Sequence, residues 1–130
     1  MKGNLLDTSV ALIALTAPDA LPGAVRDAVL AGPNVLSVMS YWEVVIKAAK
    51  GRLEVGDPRE WWREALGQLA AAPLAWRPVH VAELYDLPAI HQDPFDRALI
   101  AQARVEELAL VTTDGQVPLY ASDRLRVICG

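Results

Sequence analysis

The sequence predicts an α/β domain in which a parallel sheet is covered by helices on both faces. Three observations lead there. Short apolar segments of strand length alternate along the chain with segments of helical character, as a parallel sheet with right-handed crossovers requires. Of the 130 residues, 53% are hydrophobic and the mean hydropathy is +0.23, a surplus that suits strands buried on both faces. Asp57-Pro58-Arg59-Glu60 and Asp93-Pro94-Phe95-Asp96 are two helix starts of one design, each with an N-cap, a proline at N1 and an acid at N3. At this length a single domain over residues 1–130 is expected, with no room for a second core.

Asn4–Leu6 forms the first strand, and Thr8–Thr16 a helix bearing Val10, Leu12 and Ile13. Pro22–Ala31 is a second helix, opened by its proline and closed by Gly32-Pro33. Val35–Val38 is the second strand. Ser40–Lys50 follows as a helix ending at Gly51, a residue suited to a left-handed cap. The helix begun at Asp57 is expected to run to about Ala71 and stop before Pro73. Trp76–His80 reads as the third strand and Val81–Leu87 as a short helix. The helix begun at Asp93 runs through Glu107, Leu108–Val111 is the fourth strand, and Leu125–Ile128 a short fifth.

Composition narrows the function. No apolar run approaches the roughly 18 residues of a membrane helix, and Asp7 interrupts the N-terminal apolar stretch too early for a secretory signal. With Cys129 the single cysteine, no internal disulfide or cysteine zinc site is possible, and a reducing cytoplasm is the expected compartment. The net charge is −4, from 16 acidic and 12 basic residues, which argues against a protein that coats nucleic acid generally. Asp7, Glu43, Asp96 and Asp114 together equal that surplus.

Those four acids fall on one end of the predicted sheet. Asp7 follows the first strand directly, and Asp114 comes soon after the fourth. Glu43 lies early in the helix after the second strand, and Asp96 in the first turn of the helix before the fourth. Ligands of such sheets bind at the carboxyl ends of the strands, and helix N-termini favour negative charge. Clustered carboxylates repel one another unless a cation neutralises them. Hard divalent ions take oxygen donors, and such an ion activates water and offsets charge on a phosphodiester under attack. Singly, each acid also has an ordinary explanation. Asp7 and Asp93 suit N-caps, Glu43 could bond Ser40 in a capping box or pair with Lys47, and Asp114-Gly115 suits a turn.

The segments LLDTSVALIAL, SYWEVVIK, HQDPFDRALIAQA and LVTTD, in that order and spacing, resemble the PIN-domain ribonucleases, and most closely the VapC-type toxins of bacterial toxin–antitoxin pairs. The resemblance covers essentially the whole chain. It implies a three-layer α/β/α sandwich around a five-stranded parallel sheet in the order 3-2-1-4-5. It also implies an endoribonuclease dependent on Mg²⁺ or Mn²⁺. Carried over, Asp7 and Asp96 are the principal metal ligands, and Glu43 and Asp114 complete the pocket directly or through water. Hydrolysis by an activated water would leave a 5′-phosphate and a 3′-hydroxyl. Thr113 stands where the family commonly has Arg before the fourth acid.

Asp93 is the reserve ligand, with N-cap as its main reading, and Thr8, Ser9 and Thr112 offer hydroxyls to ligands or to helix caps. His91 is read as a structural hydrogen-bonding residue rather than a general base. Lys47, Lys50, Arg52 and Arg97 follow the acids and could meet the RNA backbone, or simply form solvated helix faces. Trp61, Trp62, Leu66 and Leu69 make an apolar stripe, with Leu12, Leu15 and Leu21 expected beside it. The family resemblance implies that an antitoxin segment packs there and brings a basic residue to the acids; it also implies a homodimer. Two other readings remain open: a phosphoryl-transfer domain of the receiver or dehalogenase kind, for which the second strand-end acid is missing, and a PIN-like module that binds without cleaving.

Overall fold

Five short strands, all parallel, define the architecture of the computed structural model, which describes residues 2–130. In chain order they are β1 (Asn4–Leu6), β2 (Asn34–Ser37), β3 (Ala71–Leu74), β4 (Ala109–Thr112) and β5 (Val127–Cys129), arranged β3-β2-β1-β4-β5. The order reverses at β1, so the carboxyl ends of β1 and β4 open a crevice between neighbouring strands. Six helices join them: α1 (Thr8–Thr16), α2 (Gly23–Ala31), α3 (Val38–Ala49), α4 (Pro58–Gln68), α5 (Pro78–Leu84) and α6 (Pro94–Glu106). Among the described residues no helix is long and apolar enough to cross a membrane.

Side chains alternate across the sheet, and the two faces carry separate cores. Leu6, Leu36 and Val111 pack with Val10, Val25, Val44, Trp61 and Ala65 on one side. Leu5 and Leu110 pack with Leu99, Ile100, Ala103 and Leu125 on the other. Adjacent residues such as Leu5 and Leu6 therefore enter opposite cores, which is why the strands are apolar throughout rather than alternating. The expected three-layer sandwich and its strand order are both present.

The helix starts behave as their sequences dictate. Asp57 caps α4, its Oδ1 accepting from the Arg59 amide at 2.9 Å. Asp93 caps α6, its Oδ1 accepting from the amides of Phe95 and Asp96 at 2.8 and 3.2 Å. The third strand is the principal correction. It was expected at Trp76–His80, followed by a helix over Val81–Leu87; it lies at Ala71–Leu74, and Pro78–Leu84 is α5. Helix α4 ends at Gln68, three residues before the expected Ala71, and Ala70 turns the chain at φ +48° into the strand. Pro73 is tolerated because β3 is an edge strand paired to β2 alone. Pro78 in turn begins a helix rather than interrupting a strand, with the Arg77 amide bonded to His80 Nδ1 at 3.0 Å. Helix α3 likewise starts early: Ser37, not Ser40, is its cap, so Val38 belongs to the helix and not to the strand.

Candidate metal centre

Asp7 leaves β1 with its amide bonded to the carbonyl of Val111 at 2.9 Å, so the ends of β1 and β4 are held together. It occupies the N-cap position of α1, yet its side chain makes no capping hydrogen bond. Instead, Oδ2 accepts from the Thr112 hydroxyl at 2.6 Å. Thr112 is wholly buried, and its hydroxyl oxygen also accepts from the Asp114 amide at 3.0 Å. One buried hydroxyl thus fixes the first acid and the backbone of the fourth. Burial raises the Asp7 carboxyl above its ordinary range; the Thr112 bond works against this and the charge of Glu43 adds to it.

Glu43 lies on the second turn of α3, 7% exposed. Its Oε2 accepts from Lys47 Nζ at 2.7 Å, the (i, i+4) pair foreseen as its structural alternative. Helices α1 and α3 are fastened beside these acids by Thr8, whose hydroxyl donates to Ser40 Oγ at 2.8 Å in a buried contact. Trp42 and Phe95, the neighbours of Glu43 and Asp96, meet edge to face at 5.5 Å and bring α3 to α6.

Asp96 occupies N3 of α6. Its carboxyl is pushed up to about 7, first by burial, then by the charges of Asp7 and Asp93. Asp7 and Asp96 thus feel each other's charge, while the donor atoms that lie within 4.8 Å of one another are those of His91, Asp96 and Asp114. His91 Nε2 is 3.0 Å from Asp96 Oδ2 and 2.8 Å from Asp114 Oδ2. The bond from His91, with a second from the Gln116 amide, holds the Asp114 carboxyl below its usual range.

The donor set suits a hard divalent cation. It consists of carboxylate oxygens at a strand switch point, beside the N-termini of α1 and α6. Among the described residues no ion pair involves Asp7, whereas Glu43 has Lys47 and Asp114 has His91. Asp7 therefore carries a charge that no cationic side chain offsets, and Asp96 has only the His91 ring, 3.0 Å from its Oδ2 and shared with Asp114. Residues 5–122 match the family model of the PIN domain. The chain belongs to the PIN-domain family.

Solved structures agree on the fold. A chain of VapBC2 from Rickettsia felis, bound to a DNA fragment from their promoter, aligns with a TM-score of 0.71 at 12% identity, covering 98% of both chains. DNA-bound VapBC from Salmonella typhimurium gives 0.70 at 14%, covering 99% of this chain and 98% of that one. VapBC-5 from Mycobacterium tuberculosis, of the VapBC family of toxin–antitoxin systems, gives 0.60 at 18%, covering 98% of both. No curated protein matches the chain.

Within this PIN domain the remaining candidates separate. Asp93 is occupied as the cap of α6. Ser9 is exposed, whereas Thr8 and Thr112 are buried bond-makers. Lys50 and Arg52 are exposed at the end of α3. Arg97 turns away from the acids; its Nη1 donates to the Pro88 carbonyl at 2.9 Å and reaches the Tyr120 hydroxyl at 3.3 Å. Its place is in the bracing of the loop before α6. His91 is the residue whose position the sequence did not disclose: it bonds as expected, but it stands between two of the four acids, 3.0 Å from Asp96 Oδ2 and hydrogen-bonded to Asp114. The proximity of HQD to Asp96 in sequence was a signal for the first acid, and nothing local pointed to the second.

Proposed function

We propose that this PIN domain is a divalent-metal-dependent endoribonuclease, the toxin of a toxin–antitoxin pair. The observation that carries the reading is the electrostatic conflict between Asp7 and Asp96. Both carboxylates are partly desolvated, no cationic side chain is paired to Asp7 among the described residues, and burial, then the charges of Asp7 and Asp93, raise the Asp96 carboxyl to about 7. Asp7 and Asp96 would hold Mg²⁺ or Mn²⁺, with Glu43 and Asp114 completing the pocket directly or through water. A bound ion supplies an activated water and neutralises charge on the phosphodiester. Around it, Thr112 orients Asp7, Lys47 steadies Glu43, and His91 holds Asp114 toward Asp96. Hydrolysis of RNA at this site leaves a 5′-phosphate and a 3′-hydroxyl.

Two features support the partner. Structural neighbours are toxin–antitoxin assemblies, and the α1–α4 face keeps Leu12, Leu15, Trp62 and Leu66 only partly buried. An antitoxin segment on that face is the proposed regulator, and a homodimer the proposed assembly. Lys50 and Arg52, free of the acid cluster, are the proposed contacts to the RNA backbone. Cleavage of a structured RNA by purified protein, with Mg²⁺ or Mn²⁺ titrated against a chelator, tests the activity. Cleavage should require the ion and disappear in Asp7→Asn and Asp96→Asn. Full activity of either variant, or cleavage in excess chelator, overturns the reading.

A further inference from the structure

His91, Asp96 and Asp114 offer a nitrogen and two oxygens within 4.8 Å of one another, a grouping compatible with an ion bound partly by histidine. The hydrogen bonds around the ring assign it differently. His91 Nδ1 accepts from the backbone amide of Asp93 at 3.1 Å. An amide can only donate, so in the neutral ring the proton resides on Nε2. That proton is bonded to Asp114 Oδ2 at 2.8 Å, and Asp96 Oδ2 lies 3.0 Å from the same nitrogen. Both ring nitrogens are committed, and neither lone pair is free for a cation.

The ring is delivered to this place by a braced loop. The amides of Ile90 and His91 donate to the Tyr120 hydroxyl at 3.2 and 2.7 Å, and that hydroxyl donates to the Pro88 carbonyl at 3.1 Å. Tyr120 is 6% exposed and packs in the second core. Arg97 ties the same loop to α6 through the Pro88 carbonyl. We propose that His91 is a positioning residue: its Nε2–H holds the Asp96 and Asp114 carboxylates at the separation that a divalent cation needs, without itself binding the ion. The proposal rests on the metal-site reading above. Without the His91 Nε2–H between them, Asp114, whose side chain is 35% exposed, is free to swing away from Asp96 under their mutual repulsion. Hydrogen bonds to metal-ligating side chains are commonly worth about 10–100-fold in metal affinity.

Two substitutions separate this role from bracing of the loop. In His91→Gln the side-chain amide reaches the region of Nε2 and can donate to the carboxylates, but the Nδ1 acceptor is lost. In His91→Asn the shorter side chain can accept from the Asp93 amide but cannot reach the carboxylates. Mn²⁺ affinity of the full-length chain, measured by calorimetry, and metal-free melting temperature are the readouts. Wild-type protein should bind Mn²⁺, His91→Gln should stay within about threefold of it, and His91→Asn should lose about 10–100-fold at an unchanged metal-free melting temperature. Wild-type affinity in His91→Asn, or equal losses in the two variants, overturns the proposal while leaving the metal site standing. Absence of Mn²⁺ binding in the wild type overturns the metal reading, and this inference with it. The ring ¹⁵N shifts of the wild type give a check without substitution: a proton on Nε2 is expected, and a proton on Nδ1 or a ring nitrogen coordinated to the ion overturns the assignment.

Discussion

Asp96 stands at N3 of α6, where the helix favours a negative charge, yet burial and the neighbouring carboxylates push its carboxyl up to about 7. The consequence for stability has a definite sign. An unfolded Asp titrates near 3.9, so between about 4 and 7 the native protein holds a proton that the unfolded chain has released. Metal-free stability from this group is present at low pH and is lost as the pH rises through the native value near 7. Denaturant unfolding in chelator at pH 5 and pH 8 should show the fall, and Asp96→Asn should flatten it; an unchanged pH slope in that variant contradicts the assignment. Asp96→Asn should also raise the metal-free melting temperature by about a few degrees, because a repelled charge is removed. Thr112→Val removes the hydroxyl that Asp7 and the Asp114 amide share. It should lower cleavage and weaken metal binding while its melting temperature drops in line with about 1–3 kcal/mol for unsatisfied partners. Wild-type cleavage in Thr112→Val would mean that Asp7 needs no such restraint.

Helices α5 and α6 are joined by a polar contact rather than by apolar packing alone. His80 is fully buried; its Nδ1 accepts from the Arg77 amide and its Nε2 donates to Glu106 Oε2 at 2.7 Å. Gln102, also fully buried, bonds the Ser37 hydroxyl and the Ala75 carbonyl, tying α6 to the carboxyl end of β2. Glu106→Ala should cost about 1–3 kcal/mol by leaving the His80 proton unsatisfied, with cleavage per folded molecule unchanged. Chemical denaturation and an RNA-cleavage rate measured together check both halves. These long-range bonds are also where the sequence is least informative. The starts of α4 and α6 are legible to the residue because Asp-Pro-x-acid satisfies its own amides locally. The third strand is not: Ala71–Leu74 is four residues long and includes a proline that only an edge position accommodates, while Trp-Arg-Pro-Val-His imitates alternation. His80 looked like the end of a strand because its partner Glu106 is 26 residues away.

At the scale of the molecule, the reversal of strand order at β1 turns residues far apart in sequence into neighbours. Asp7 and Thr112 are separated by 105 positions and share a 2.6 Å hydrogen bond. Strand–helix alternation makes that convergence foreseeable for Asp7, Asp96 and Asp114, since each sits at a strand end or helix start. It does not reveal which acids already have partners: Lys47 for Glu43 and His91 for Asp114 follow from side-chain directions that only the packed structure fixes. Asp7 has no such partner among the described residues and Asp96 shares His91 with Asp114, and the proposed function rests on these two acids. Direct titration of Mn²⁺ into wild-type protein and Asp96→Asn, by calorimetry at pH 8, tests this most directly. The account predicts saturable binding to the wild type, proton release on binding that grows as the pH is lowered toward 7, and loss of binding in the variant. Equal binding by a folded Asp96→Asn protein would contradict it.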